Sequence, residues 1–325
     1  MLSPNGIDPD PNDPTQNFNS LPFGLIAGWG RYPVLLAKAL KANGFTVVCL
    51  GVHDHADPEL AEICDVFKWS GIARFGSAAR FFRKKGVRYA SMAGKIHKKL
   101  LFTPGFIWKQ LPDLYTCSMF MSHFIFRKKD CKDDTLLLTV VDAFERKGIK
   151  LLPGTDFAPE MLVKRQLLTK KGPSKAQWKD ICFGWNLARE MGRLDVGQSV
   201  SVKNQAVLAV EAIEGTDEAI RRAGSLCRGN GFTVVKVAKP GQDMRFDVPT
   251  FGPGTVQTMI DSGASVLAVE AQKTIFIDQD EVIRLAEKHN IVIVAVYEED
   301  LIFSESPFPV KEEDSAIPVC TRSVS

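Results

Sequence analysis

The chain has 325 residues, 45% hydrophobic and 24% charged, so it can bury a substantial core, and the usual range of domain sizes predicts two domains. Net charge is only +3, no apolar run approaches the roughly 18 to 20 residues of a membrane span, and MLSPNGIDPDPNDPTQNFNS is unlike a signal peptide; a cytoplasmic protein is expected. The seven cysteines are odd in number and show no CxxC spacing, which argues against a disulfide framework or a structural zinc site.

Residues 1–20 are rich in Pro, Asn and Asp, and their composition predicts a disordered arm. FGLIAG then reads as a buried strand, GWGR as a turn, PVLLAKALKANG as a helix with Pro33 near its start and Gly44 past its end, and TVVCLGV as a second strand. That order is a parallel βαβ unit. The pattern continues with SAARFFRKKGV as a basic helix, RYASMAG as a strand, DTLLLTVVDAFERKG as a helix and IKLL as a strand. The first domain is expected over residues 21–155, with a linker over 156–175 that includes PEMLVKRQLLTKKGPS.

A second α/β domain is predicted over 176–304. KAQWKDICFGWNLAREMG reads as an amphipathic helix, and SVSVKNQAVLAVEAIE as a hairpin turned at Asn204. TDEAIRRAGSLC reads as a helix with Thr216 as its N-cap, and TVVKVAK as a strand. After it come helix TVQTMIDSG, a hairpin in ASVLAVEAQKTIFI, helix EVIRLAEKHN and strand IVIVAVY, with 305–325 as a tail. There is no repeat of fixed period.

Charge is unevenly spread. Between Lys68 and Lys132 there are 15 Lys or Arg against Asp113 and Asp130 alone, with aromatics between them in ARFFRKKG and FMSHFIFRKK. Such a region is a solvated basic face, or a surface attracted to an anionic membrane or to nucleic acid.

Four stretches are candidate sites. GLIAGWGRYP, with Gly30, can bring backbone N–H groups to a phosphate, although it lacks the third glycine of a dinucleotide fingerprint and a ribose-binding acid after the second strand. EGTD sets Thr216 and Asp217 at a helix start, where they serve the helix end, an anion or a ribose hydroxyl. GRLDVGQS offers Gln198 for a base edge, or is simply a turn. The densest is KVAKPGQDMRFDVPTFGPGT: Lys236, Lys239 and Arg245 suit phosphate oxygens, and Asp247 can hold Mg²⁺ or accept a proton from attacking water, or the cluster is a loop of surface salt bridges. No GxSxG, HExxH, P-loop or Cys–His signature points to covalent catalysis, which leaves metal-assisted hydrolysis as the leading chemistry.

GLIAGWGRYP, MAGKI, DTLLLTVVDAFERKGIKLLP, GRLDVGQSV, LAVEAIEGTDEAIRRAG and VKVAKPGQDMRFDVPTFGPGTV, in this order over roughly residues 22–300, resemble the LpxI-type UDP-2,3-diacylglucosamine pyrophosphatases. The resemblance implies a Rossmann-like N-terminal domain, a C-terminal domain of family-specific fold, and Mg²⁺- or Mn²⁺-dependent hydrolysis to UMP and 2,3-diacylglucosamine 1-phosphate in lipid A synthesis. It implies Asp247 as the catalytic residue, and Gly30, Gln198, Thr216, Asp217, Lys236 and Lys239 as substrate contacts in a cleft between domains. The partners expected are a nucleotide-sugar lipid and, through residues 68–132, the inner face of the membrane; nucleic acid is not expected, and a homodimer is left open. Trp29 interrupts the family's glycine run, and the basic KIHKKLLF replaces its usual polar segment after MAG. A non-hydrolytic nucleotide-sugar or lipid sensor is the alternative, and a nicotinamide-dependent oxidoreductase ranks third.

Overall fold

The computed structural model describes residues 21–96, 112–119, 133–228, 231–245, 248–302 and 307–308. The expected arm, most of the expected tail, Lys98, Lys99 and Asp247 lie outside these residues. The chain divides into two compact units, one ending at Pro159 and the other starting at Glu160. The short segment beginning at Asp243 belongs with the first unit, although Gln242 belongs with the second.

The first unit is a parallel sheet of five strands: β1 (Phe23–Ala27), β2 (Val47–Val52), β3 (Val66–Ser70), β4 (Tyr89–Ala93) and β5 (Lys150–Leu151), in the order β3-β2-β1-β4-β5. Helices α1 (Tyr32–Ala42), α2 (Leu60–Ile63), α3 (Phe75–Lys84) and α4 (Asp133–Glu145) make the connections. Pro33 sits in the first turn of α1, where its missing N–H is no loss, and Gly44 closes the helix at φ +82°. Strand β2 lies between two others and is buried throughout, whereas β3 is an edge strand with Lys68 and Trp69 exposed. That half-polar edge hides VFKWS from an apolar-run reading. Phe82 of α3 and Phe144 of α4 pack with Val48, Leu50 and Leu151 on one face.

The second unit is a six-stranded sheet in the order β6-β13-β11-β9-β7-β8. Its strands are β6 (Gln166–Leu167), β7 (Ser199–Lys203), β8 (Ala206–Val210), β9 (Thr233–Lys236), β11 (Val266–Glu270) and β13 (Val292–Val296). A separate parallel pair joins β10 (Thr250–Phe251) to β12 (Ile275–Phe276). Helix α5 (Lys175–Arg193) starts in a capping box, Ser174 with Gln177, and lays Trp178, Ile181, Trp185 and Ala188 on one face of the sheet. On the other face α6 (Thr216–Cys227), α7 (Pro253–Ser262) and α8 (Gln279–Lys288) bury Ile220, Val256, Met259 and Val282.

The hairpin at Asn204 forms as expected. Asn204 and Gln205 both have positive φ, and their N–H groups donate to the two oxygens of buried Asp180, at 3.0 and 2.6 Å. Two expectations fail. ASVLAVEAQKTIFI is not a hairpin: β11 is a central strand running parallel to β9 and β13, and β12 pairs with β10. The expected linker holds β6, which pairs antiparallel with β13 over only two residues, too short to show periodicity. Lys236 ends the strand read in TVVKVAK and is buried there despite its charge.

Candidate active site

In open sheets with parallel strands, ligands gather beyond the carboxyl ends of the strands. At that end of β9 stands Lys236, only 3% exposed. A buried ammonium must be fully hydrogen-bonded or its burial is prohibitive. Its Nζ donates to Thr216 Oγ1 (3.1 Å) and to the Thr250 carbonyl (2.9 Å), and the Thr216 hydroxyl in turn donates to Glu211 Oε1 (3.0 Å). Thus the end of β9, the start of α6 and the residue after β8 are joined through one hydroxyl. Thr216 is not the N-cap that its sequence suggests: Gly215, at φ +87°, holds that place, and the Thr216 side chain is drawn toward Glu211. Asp217 lies in the first turn of α6 and is exposed, where its charge favours the positive helix end.

A second group lies just beyond. The Lys239 amide donates to Gln242 Oε1 (2.8 Å), and Lys239 Nζ pairs with Asp195 Oδ1 (2.7 Å), which follows α5. Gln198 is fixed by its backbone, whose carbonyl accepts from the Val237 amide (3.0 Å). Beneath this turn Glu270, at the end of β11, accepts from the Ala238 amide (2.8 Å) and pairs with Lys273 (2.9 Å) and Arg189 (3.6 Å). The turn after β9 is therefore held by charge-assisted bonds to its backbone.

Among the described residues, three of the buried polar atoms without a hydrogen-bond partner fall in this region: Gln198 Oε1, Glu211 Oε2 and Gln242 Nε2. Buried polar atoms are normally paired, so these three atoms are placed to bond a polar ligand. The Arg245 guanidinium is spent on Asp243, with Nε at 2.9 Å and Nη2 at 2.6 Å. Burial pushes the Asp243 carboxyl up, but Arg245 outweighs it and holds the group below the ordinary carboxylate range.

In the first unit the glycine turn is a junction of two loops. Trp29 and Lys95 exchange backbone hydrogen bonds at 2.8 and 2.9 Å, and a Cβ on Gly28 would meet the Lys95 carbonyl oxygen at 2.8 Å. Gly28 is needed for that approach, whereas Gly30, at φ +108°, faces open space and Trp29 is half exposed. The MAGK segment thus packs on the turn itself.

Residues 22–161 match the family model described as the LpxI N-terminal domain, and residues 164–294 that of the LpxI C-terminal domain. The chain belongs to the LpxI family. The protein described as UDP-2,3-diacylglucosamine pyrophosphatase LpxI of Caulobacter vibrioides is 33% identical over 283 residues, which cover 84% of this chain and 97% of the relative. The two LpxI matches meet between residues 161 and 164, beside the division of the chain at Pro159.

Of the residues singled out in this LpxI sequence, the structure brings Thr216 and Lys236 into direct contact and sets Gln198 and Lys239 beside the turn after β9. Glu211 and Glu270 were missed. Their signal was present: LAVEA occurs twice, at 208–212 and 267–271, and each time a buried glutamate stands at the end of an apolar strand or directly after it.

Proposed function

We propose that this protein hydrolyses UDP-2,3-diacylglucosamine to UMP and 2,3-diacylglucosamine 1-phosphate in lipid A biosynthesis. Membership of the LpxI family makes it a hydrolase of a diphosphate bond, and the named relative supports the substrate. The observation that carries the chemistry is the buried Lys236 ammonium tied to the first residue of α6. Charge attraction is strongest away from bulk water, and a helix start adds its own positive end; both favour an anion such as a diphosphate. Lys239, on the following turn, suits a second phosphate oxygen, and Gln198 a base edge.

Asp247, from the resemblance, is the group proposed to orient the attacking water and to hold a divalent ion. Asp195, which the structure pairs with Lys239, is a hard oxygen donor, in keeping with Mg²⁺ or Mn²⁺. No three ionisable ligands converge among the described residues, so such an ion would be held by Asp247 together with substrate oxygens. When bound it would supply Lewis-acid polarisation of the phosphoryl oxygen. Because the proposed substrate is lipid-linked, the exposed basic face of α3 is proposed to meet an anionic membrane.

The test is UMP release from UDP-2,3-diacylglucosamine with Mg²⁺ or Mn²⁺, with and without chelator. Heavy-oxygen water is expected to label UMP. Asp247→Asn is expected to lose turnover while retaining ligand binding, and full activity in that variant would remove Asp247 from the chemistry. Tight binding with no product from the wild type would point to a sensor.

A further inference from the structure

Glu211 is 7% exposed, sits at the carboxyl end of β8 and spends Oε1 on the Thr216 hydroxyl. Its Oε2 is buried with no hydrogen-bond partner. An ionised carboxylate oxygen out of water and unpaired carries a large desolvation penalty, so this position is built for a donor that arrives with the ligand. A phosphate cannot be that donor, since like charges repel. A divalent ion is disfavoured as well, because it would stand beside the Lys236 ammonium, which Thr216 ties to the same carboxylate. What remains is a neutral donor, and the donors that a nucleotide sugar carries in number are its hydroxyls.

Resting on the function proposed above, we propose that Glu211 is a substrate-binding residue whose Oε2 accepts a hydrogen bond from a sugar hydroxyl of the nucleotide sugar. Thr216 then has two tasks at once: it accepts from Lys236, which faces the phosphates, and donates to Glu211, which faces the sugar. Phosphate and sugar recognition are thereby linked through a single side chain.

The experiment compares binding, by calorimetry in the presence of Mg²⁺, of UDP-2,3-diacylglucosamine analogues that resist hydrolysis. One arm lacks the ribose 2′- or 3′-hydroxyl, and the other lacks a free hydroxyl of the glucosamine. A hydrogen bond to a charged acceptor predicts that wild-type protein binds one of these analogues roughly 10- to 100-fold more weakly than the parent. The arm showing the loss identifies the sugar. In Glu211→Gln, which keeps the shape and an acceptor for Thr216, that discrimination is expected to fall to within about threefold. Equal wild-type affinity for all analogues overturns the proposal, as does discrimination that survives Glu211→Gln unchanged. Equal affinities together with loss of Mn²⁺ binding in Glu211→Gln would assign the oxygen to a metal instead, and also overturn it. Should the variant not fold, the wild-type comparison still decides. A wild type that hydrolyses the substrate yet ignores every missing hydroxyl sinks this inference alone, while one that neither binds nor hydrolyses it sinks the proposed function.

Discussion

Gly197 stands where the chain turns into β7, and a Cβ there would overlap the carbonyl oxygen of Glu211. The backbone of Glu211 is thus pressed against a residue that has no side chain, which fixes where its carboxylate emerges. Gly197→Ala must push the two segments apart, and overpacking of this kind costs about 1 to 3 kcal/mol. Gly254, in the first turn of α7, would meet nothing within 4 Å. Gly254→Ala is expected to leave stability unchanged or raise it by up to about 1 kcal/mol, through helix propensity. Urea midpoints of the two variants should move apart, with UMP release falling only for Gly197→Ala; coincident midpoints would disprove the crowding argument. At this scale the sequence was legible for residue type and less so for partner. EGTD reads as a helix start, and it is one, but nothing in EGTD alone tells that Thr216 faces a glutamate five residues earlier and a lysine twenty residues later.

Among the elements, β6 shows how a two-residue strand is kept in place. Arg165, just before it, sends Nε to Asp300 Oδ2 (2.8 Å) and Nη2 to Oδ1 (2.6 Å), while the Tyr297 amide also donates to that carboxylate (2.9 Å). The Arg165 guanidinium first, aided by the Tyr297 amide and opposed by burial, holds the Asp300 carboxyl below its ordinary value. A carboxylate whose value is depressed on folding stabilises the native state above its unfolded value, about 3.9, and that contribution is lost as pH falls through the native value. Asp300→Asn should lower stability at pH 7 by about 1 kcal/mol, a figure discounted because the Arg165 side chain is 40% exposed and screened by water. Urea titrations from pH 7 to pH 2 would show the gap between variant and wild type closing on the acid side; a gap that stays constant would mean that the ion pair contributes nothing. Long helices and fully apolar strands are readable here, because α5 has enough residues to display a helical period and β13 is an unbroken apolar run. β6 could not be read, since its existence depends on β13, more than a hundred residues away. The false hairpin at ASVLAVEAQKTIFI has a similar origin: two apolar runs with a turn between them satisfy the local rule, and only the neighbouring strands β9 and β13 decide the pairing.

For the molecule as a whole, charge is concentrated rather than large. Arg80, Arg83, Lys84, Lys85 and Arg88 are exposed on α3 and the turn after it, and Lys68 lies over the Phe81 ring at 5.1 Å. No described helix is long and apolar enough to cross a membrane. If this face meets the bilayer, each cation contributes about 1 kcal/mol near an anionic surface. The triple change Arg83→Glu, Lys84→Glu and Lys85→Glu is then expected to weaken binding to phosphatidylglycerol vesicles by about 100-fold or more, and added salt should weaken wild-type binding. Sedimentation with vesicles measures both; unaltered binding by the triple variant would rule the surface out.

The pairing of β6 with β13 also bears on how the chain is made. Leu167 meets Val294 in the finished sheet, so the first strand of the second unit to be synthesised must wait for the last. At roughly 5 to 20 residues per second, the delay is about 6 to 25 s, far longer than a helix or hairpin needs to form. During that interval α5 and the β7–β8 hairpin can associate, while β6 has no strand to join. Closing of this sheet is therefore expected only once β13 has been made, after Thr216 and Lys236 have already emerged.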